Sequence, residues 1–358
     1  MPRAAGVLAP RYRRAAAAEA AKASAEDDGT QVERPSRPAA KKSAANVSKK
    51  RAPNKDEKFE KALRQFALDN IKLTVPKMVD EFVAIKTDTQ GIGKYTKAAF
   101  DANPEKNRYK DVYCVDGSRV VLNWPASKSD YIHGNWVHIP EKRRFICTQA
   151  PTETTIEDFW RMMWQEKCRS IVMLCNLVEQ GKRKCEQYWP NEKGTTMDSG
   201  PVSVKCLSIQ DVEEVLTLTR LELTTAESKD TLIVEHLCWN NWPDRGVPPN
   251  FLACLRLINR VKDLTPIVVH CSAGIGRTGT IVGLDVIMAR LQKGENCTVD
   301  KVVRELRDAR HGSVQMDIQY VYIARVLIAL AENKKLVTKE ELRDWLADYE
   351  TLCKARGC

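Results

Sequence analysis

Val269-His270-Cys271-Ser272-Ala273-Gly274-Ile275-Gly276-Arg277-Thr278-Gly279 is the stretch from which the fold is read. Ile267-Val268-Val269 leads into it, a short apolar β-branched run suited to a strand buried on both faces. Ile281 to Leu291 follows, an apolar run closed by Gly294, which reads as a buried helix with a glycine stop. The turn between them holds a Cys and an Arg six positions apart. Backbone N–H groups of such a turn face inward and form an anion nest at a helix N-terminus. Gly274 and Gly276 supply backbone freedom for that nest. Arg277 can grip two oxygens of a phosphoryl group with its planar fork. The same positive field favours a thiolate at Cys271, in line for attack on a cradled phosphorus. A Cys and an Arg at this spacing alone would read as structural. The strand, both glycines, the hydroxyl of Thr278 and the helix together point to phosphoryl chemistry.

Outward from this unit, the C-terminal side reads as helical. Helices are expected over Val299 to Arg310, Ile318 to Asn333 and Lys339 to Lys354. The last has a capping box at Thr338 and Glu341 and an apolar stripe of Leu342, Trp345, Leu346, Tyr349 and Leu352. On the N-terminal side, short β-like runs cover Val120 to Leu122, Ile171 to Leu177, Leu216 to Leu223 and Leu232 to Cys238. One helix interrupts them, with Thr154 and Glu157 read as its capping box before Phe159, Trp160, Met163 and Trp164. Phe59, Leu63, Phe66 and Ile71 fall at helical spacing and place the start of order near Asp56. The pattern predicts an α/β fold: a twisted mixed β-sheet flanked by helices, with the phosphate-binding loop between a buried strand and a helix.

Charge divides the chain. Residues 1–55 hold thirteen Lys and Arg against five Asp and Glu, so most of the net charge of +10 sits there. With Ala, Ser and Pro abundant and Tyr12 the only aromatic, that segment cannot bury enough apolar surface to order itself. The expected organisation is a basic disordered tail over 1–55, a catalytic domain over 56–335 and a C-terminal amphipathic helix over 336–358. The nearly neutral remainder gives no case for nucleic-acid binding by the domain, while the tail suits acidic partners. Lys41-Lys42 and Lys49-Lys50-Arg51 loosely match a two-part nuclear-import signal, but a solvated basic tail explains them as well. The Arg- and Ala-rich start is interrupted by Glu26, Asp27 and Asp28, against a mitochondrial presequence. Arginines break any secretory apolar run, and no stretch has the length of a membrane span. Twelve cysteines without a single C-x-x-C read as reduced, mostly buried thiols. The setting expected is cytoplasmic or nuclear, and the protein a monomer.

The loop resembles the HCxxGxxR[ST]G signature of the protein-tyrosine phosphatase family, and similarity extends over roughly Phe59 to Asn333. Segments such as Asn103 to Leu122 and Trp239 to Pro248 most resemble the family's cytosolic nematode-type members. The resemblance implies hydrolysis of phosphotyrosine in proteins through a cysteinyl-phosphate on Cys271, with Arg277 and the amides of Ser272, Ala273, Gly274, Ile275 and Gly276 binding the phosphoryl oxygens. Chemistry also demands a proton for the leaving oxygen, and Trp242-Pro243-Asp244 matches the family's acid loop, with Asp244 as acid, Trp242 as hinge and Gly246 as flexible point. Gln315 and Gln319 match its water-positioning glutamines, Gln315 being the better candidate. Tyr109 and Val112 would wall a deep cleft against the substrate ring, and Asp111 would accept hydrogen bonds from the substrate backbone. Glu179 would hold Arg277 in its gripping pose, Lys184 would contact the acid loop, His270 would organise the phosphate loop, and Thr278 would hydrogen-bond the sulfur.

The mechanism so implied needs no metal and no cofactor. His236 and Cys238 share a strand, but two ligands without partners make a poor metal site. Three residues depart from the family pattern: His133 where Asn is usual, Met316 where Thr is usual, and Arg245 beside the acid. They bear on local packing, on the glutamine loop and on acid-loop closure, and they are the grounds for an alternative, a catalytically impaired phosphotyrosine-binding module. A dual-specificity or phosphoinositide phosphatase would share the Cys-to-Arg loop but lack the Tyr109 segment, and the latter would want Lys inside the loop.

Overall fold

The computed structural model describes residues 54–88, 95–126, 128–138 and 144–358. Most of the expected basic tail, with its candidate import signal, lies outside the described residues.

The first helix, α1 (Lys55–Leu73), is started by Asn54, whose side chain accepts from the Glu57 amide while Glu57 reaches back to the Asn54 amide. Leu63, Phe66 and Ala67 form its buried face, as their spacing predicts. Val75–Thr87 makes α2, with Pro76 in the first turn where its missing N–H costs nothing. A short α3 (Ala98–Asp101) leads to β1 (Arg119–Val121), β2 (Tyr131–His138) and β3 (Arg144–Thr148). Then come α4 (Ile156–Gln165), β4 (Ser170–Met173), a small hairpin of β5 (Val178–Glu179) and β6 (Lys182–Arg183), and the run β7 (Thr196–Ser199), β8 (Val202–Glu213), β9 (Leu216–Thr225) and β10 (Ser228–Trp239). The chain closes with α5 (Phe251–Val261), β11 (Ile267–His270), α6 (Gly276–Lys293), α7 (Val299–Ala309), α8 (Asp317–Asn333) and α9 (Lys339–Arg356).

The main sheet has the order β1-β2-β3-β11-β4-β10-β9-β8-β7. Its centre is parallel: β11 pairs with β3 on one side and β4 on the other, and β4 pairs with β10. The outer pairs are antiparallel. Ile267, Val268 and Val269 are buried on both faces of the sheet, which is why the run is continuously apolar rather than alternating. Helices α6 and α8 are buried nearly all round and form the core beside the strand. The chain therefore leaves the middle of the sheet at Cys271, at a strand's C-terminal end, where open α/β sheets bind ligands.

Two sequence expectations change. The box before α4 is built by Thr152 and Thr155, not Thr154 and Glu157, because a 3₁₀ turn over Glu153–Thr155 precedes the α-helix. The strand expected to reach Leu177 ends at Met173, since the chain must turn there into the β5–β6 hairpin. Helix α9 packs on the rest: Leu342, Trp345 and Tyr349 are buried, Trp345 stacks on Tyr349 at 5.8 Å, and the Arg325 guanidinium sits 4.1 Å over Phe251 and 5.9 Å from Tyr349. The described residues belong to one compact unit.

Candidate active site

Three carbonyls of the loop after β11 are turned out of the cleft and bonded. Ser272 O accepts from the Ala150 amide at 3.0 Å, Ala273 O from Arg310 Nη2 at 3.0 Å and Gly274 O from Arg310 Nε at 3.1 Å. In a planar trans peptide the next residue's N–H points the opposite way, so these contacts aim the following amides inward. One of them, Gly274 N–H, donates to the Cys271 sulfur at 3.2 Å. Gly274 takes φ +70°, and a Cβ there would lie 2.0 Å from Thr148 O, so only glycine fits. Gly276 differs from expectation. Its φ is negative, as the first residue of α6, and what it supplies is room: a Cβ would stand 3.1 Å from Gln319 Oε1 and 3.2 Å from Gln315 Oε1.

Arg310 is the residue that sequence reasoning missed. It is fully buried, and besides the two loop carbonyls it donates to Asn135 Oδ1 at 2.8 Å and to His133 Nδ1 at 3.1 Å. A basic residue at the end of α7 looks like solvated helix surface; nothing local signals burial. The same network explains His133. Arg310 can only donate, so Nδ1 accepts and the Nε2 proton goes to Val112 O at 2.8 Å. Burial and the neighbouring guanidinium hold His133 neutral, its pKa lowered to about 3. The imidazole thus fills both of its bonds in a neutral network.

Cys271 lies at the cleft floor, 4% exposed. Burial by itself raises its pKa, but the charge of Arg277, the Thr278 hydroxyl and the amides of Thr278 and Gly274 outweigh burial, and the net direction is down. Thr278 Oγ1 is buried without a hydrogen-bond partner among the described residues, and it lies near enough to the sulfur to favour the thiolate. Arg277, 3% exposed, is gripped by Glu179 in a fork: Nη1 to Oε1 at 2.6 Å and Nη2 to Oε2 at 3.0 Å. Nη1 also donates to Trp242 O at 3.1 Å. Its pKa is raised, burial being offset by Glu179 and by the sulfur's charge.

The loop after β10 carries Asp244, the candidate acid. Trp242 is buried against Trp239, ring centroids 4.9 Å apart, and its Nε1 donates to Gly246 O at 3.1 Å, closing the loop on itself. Asp244 Oδ2 accepts from Lys184 Nζ at 2.7 Å and Oδ1 from Arg277 Nη2 at 3.4 Å. Partial burial raises the Asp244 pKa, but Lys184, Arg277 and Arg245 overcome this and hold it below the usual carboxylate range. Arg245 stands at φ +60° and Asn241 at φ +64°, each a left-handed position costing a non-glycine residue roughly 1–2 kcal/mol. At Gly246 a Cβ would meet Pro243 Cβ at 3.0 Å and Cys358 Sγ at 3.1 Å, so a side chain there would be crowded.

The mouth is a cleft of about 390 Å³, lined among others by Tyr109, Asp111, Val112, Lys182, Arg245 and Gln315. Ser272 Oγ donates to Lys184 O at 3.0 Å, so the Tyr109 hydroxyl is the donor in its 2.9 Å bond to Ser272. That bond ties one wall to the phosphate loop. Gln319 Oε1 accepts the amides of Gln315 at 3.1 Å and Met316 at 3.2 Å, capping α8, whereas the Gln315 side chain has no such duty. Met316 gives its amide to this cap. Ile275 lies beneath the loop, its carbonyl taking the Gly279 and Val314 amides, both at 3.0 Å. His270 is buried: Tyr188 OH lies 2.7 Å from its Nε2 and 2.8 Å from His236 Nε2. Both imidazoles have lowered pKa values, burial being the main cause, His270 at about 4 and His236 at about 3. His236 is thereby spent on Tyr188, and no group of three potential ligands placed for a metal occurs among the described residues.

Residues 103–329 match the family model described as protein-tyrosine phosphatase. Human tyrosine-protein phosphatase non-receptor type 9 is 34% identical over 268 residues, 69% of this chain but 45% of that protein, so the chain spans less than half the length of this relative. The Lar-like tyrosine-protein phosphatase of Caenorhabditis elegans is 37% identical over 253 residues, 68% of this chain and 11% of that one. Among solved structures, PTPN18 in complex with HER2-pY1196 phosphopeptides superposes with a TM-score of 0.69 at 28% identity, covering 75% of this chain and 99% of that chain.

Proposed function

The chain belongs to the protein-tyrosine phosphatase family, and from that membership we propose that it hydrolyses phosphotyrosine in proteins through a cysteinyl-phosphate on Cys271. The observation that carries the reading is a buried cysteine that accepts the Gly274 amide, in a loop whose carbonyls are bonded outward, beside an arginine already oriented by a carboxylate fork. That is a cradle for a tetrahedral dianion with a nucleophile at its base.

In the first step the Cys271 thiolate attacks phosphorus. The bond from phosphorus to the tyrosyl oxygen breaks, and Asp244 gives that oxygen its proton. In the second step a water held by Gln315 loses a proton to Asp244 and attacks phosphorus. The sulfur leaves as thiolate, with Thr278 easing its departure, and inorganic phosphate is released. Arg277 and the amides of the loop from Ser272 to Gly276 carry the charge of the equatorial oxygens throughout. Asp244 is paired with Lys184 and Arg277. A phosphoryl dianion draws Arg277 onto itself and adds negative charge beside the carboxyl, both of which lift Asp244 toward its acid form. Binding thus prepares the proton donor. Selectivity comes from depth: with Cys271 nearly fully buried, a phosphoserine is too short to reach it, and Tyr109 and Val112 flank the ring of a tyrosine. Partners are phosphotyrosyl proteins, in keeping with the phosphopeptides bound to PTPN18. Twelve free thiols suit a reducing compartment.

The direct test is to trap the intermediate. Gln315→Ala should slow its hydrolysis, and rapid denaturation during turnover of a labelled phosphotyrosyl peptide should leave phosphate on Cys271. A protein that turns over the peptide and never carries label contradicts the pathway.

A further inference from the structure

The cleft carries more positive charge than a phosphoryl dianion uses. Five basic side chains line it: Lys182, Arg183, Lys184, Arg245 and Arg277. Three are already paired. Arg277 has Glu179, Lys184 has Asp244, and Arg183 has Glu186 at 2.8 Å and Glu153 at 3.2 Å. Lys182 and Arg245 are exposed and have no ion pair among the described residues. They belong to different elements, the β5–β6 hairpin and the acid loop, yet both face the same opening. A cleft rimmed by one sign of charge focuses its field on whatever enters. The backbone gives no reason for arginine at 245. Its φ of +60° suits glycine, so the side chain is held there against a conformational cost.

We propose that Arg245 and Lys182 form a rim site for an acidic side chain of the substrate, carboxylate or second phosphate, next to the phosphotyrosine, and so set which phosphotyrosines are chosen. This rests on the phosphatase reading and adds a sequence preference to it. Because Arg245 travels with Asp244, an acidic neighbour that neutralises it would also relieve part of the field that keeps Asp244 ionised. The preference should therefore appear in kcat as well as in KM.

The experiment compares kcat/KM for two phosphotyrosyl peptides, one with Glu and Asp flanking the phosphotyrosine and one with Gln and Asn, at low and high salt. The full chain should favour the acidic peptide by about three- to fivefold or more at low salt, and the advantage should shrink with salt. In Arg245→Gln combined with Lys182→Gln the ratio should fall to about one, and in Arg245→Glu it should invert. Using a ratio within each variant separates recognition from acid-loop damage, which slows both peptides alike. Equal rates on both peptides by the unaltered chain overturn the rim site and leave the phosphatase reading standing. Hydrolysis of neither peptide, nor of a plain aryl phosphate, overturns that reading and the rim site with it.

Discussion

Asp244 is held in its charged form for an identifiable reason, the Lys184 ammonium at 2.7 Å, and that contact fixes a sign. Replacing Lys184 with Met removes a group that favours the charged form, so the Asp244 pKa must rise. The alkaline limb of kcat/KM, which reports loss of the acid in free enzyme, should move to higher pH. A limb that stays put, or moves down, contradicts the assignment. Asp244→Ala should lower kcat at neutral pH by about 10²–10⁴-fold while phosphotyrosyl proteins still bind. Unchanged turnover would remove Asp244 from the role. At this scale the sequence was legible wherever chemistry demands a residue type: Cys271 and Arg277 are named by what a phosphate needs. It was silent on Arg310 and on the fit of His133, whose places are set by burial and by partners far along the chain, Asn135 and Ala273 among them.

The phosphate loop works as an element because its carbonyls are pinned from behind. Arg310 holds two of them and has no carboxylate partner among the described residues. Arg310→Met would leave Ala273 O, Gly274 O and Asn135 Oδ1 short of a donor. The expected cost is about 2–4 kcal/mol of stability in denaturant unfolding, from charged hydrogen bonds lost in a buried site. The same change should raise the pH at which Cys271 becomes reactive to iodoacetamide, since the amides would no longer be aimed at the sulfur. Reactivity with an unmoved pH midpoint would mean that the loop holds its shape without Arg310. Strand β11 and helices α6 to α9 could be read from periodicity, as could β9 and β10, because their apolar patterns are strong. The N-terminal boundary of α4 could not, since Thr152 and Thr154 offer the same hydroxyl two residues apart and only the 3₁₀ turn decides between them. Helix α2 and strand β8 were not read from the sequence.

On the scale of the whole molecule, the C-terminal helix belongs to the stability of the domain. Leu342, Trp345 and Tyr349 are buried through it, and Arg356 donates to Asp317 Oδ1 at 3.0 Å at the start of α8, close to the glutamine loop. Ending the chain at residue 335 should cost about 3 kcal/mol or more, given roughly 1.5–3 kcal/mol for each large apolar side chain returned to water. The check is the thermal midpoint, which should fall by several degrees; an unchanged midpoint would make α9 a mere appendage. A chain starting at Asn54 should keep full activity, since α1 has its own cap there. The fold class was legible because a parallel centre, a buried strand and a glycine-bearing loop each leave a pattern in sequence. How the C-terminal helix is used was not, because an amphipathic stripe looks the same whether it meets its own domain or another protein. The central claim is the reaction, and its most direct measurement is steady-state hydrolysis of a phosphotyrosyl peptide and its phosphoserine twin, with EDTA present, by the full chain and by Cys271→Ser. Turnover of the tyrosine peptide alone, abolished in the variant, is expected. Equal turnover of both peptides, activity surviving in Cys271→Ser, or a folded protein that hydrolyses neither would contradict it.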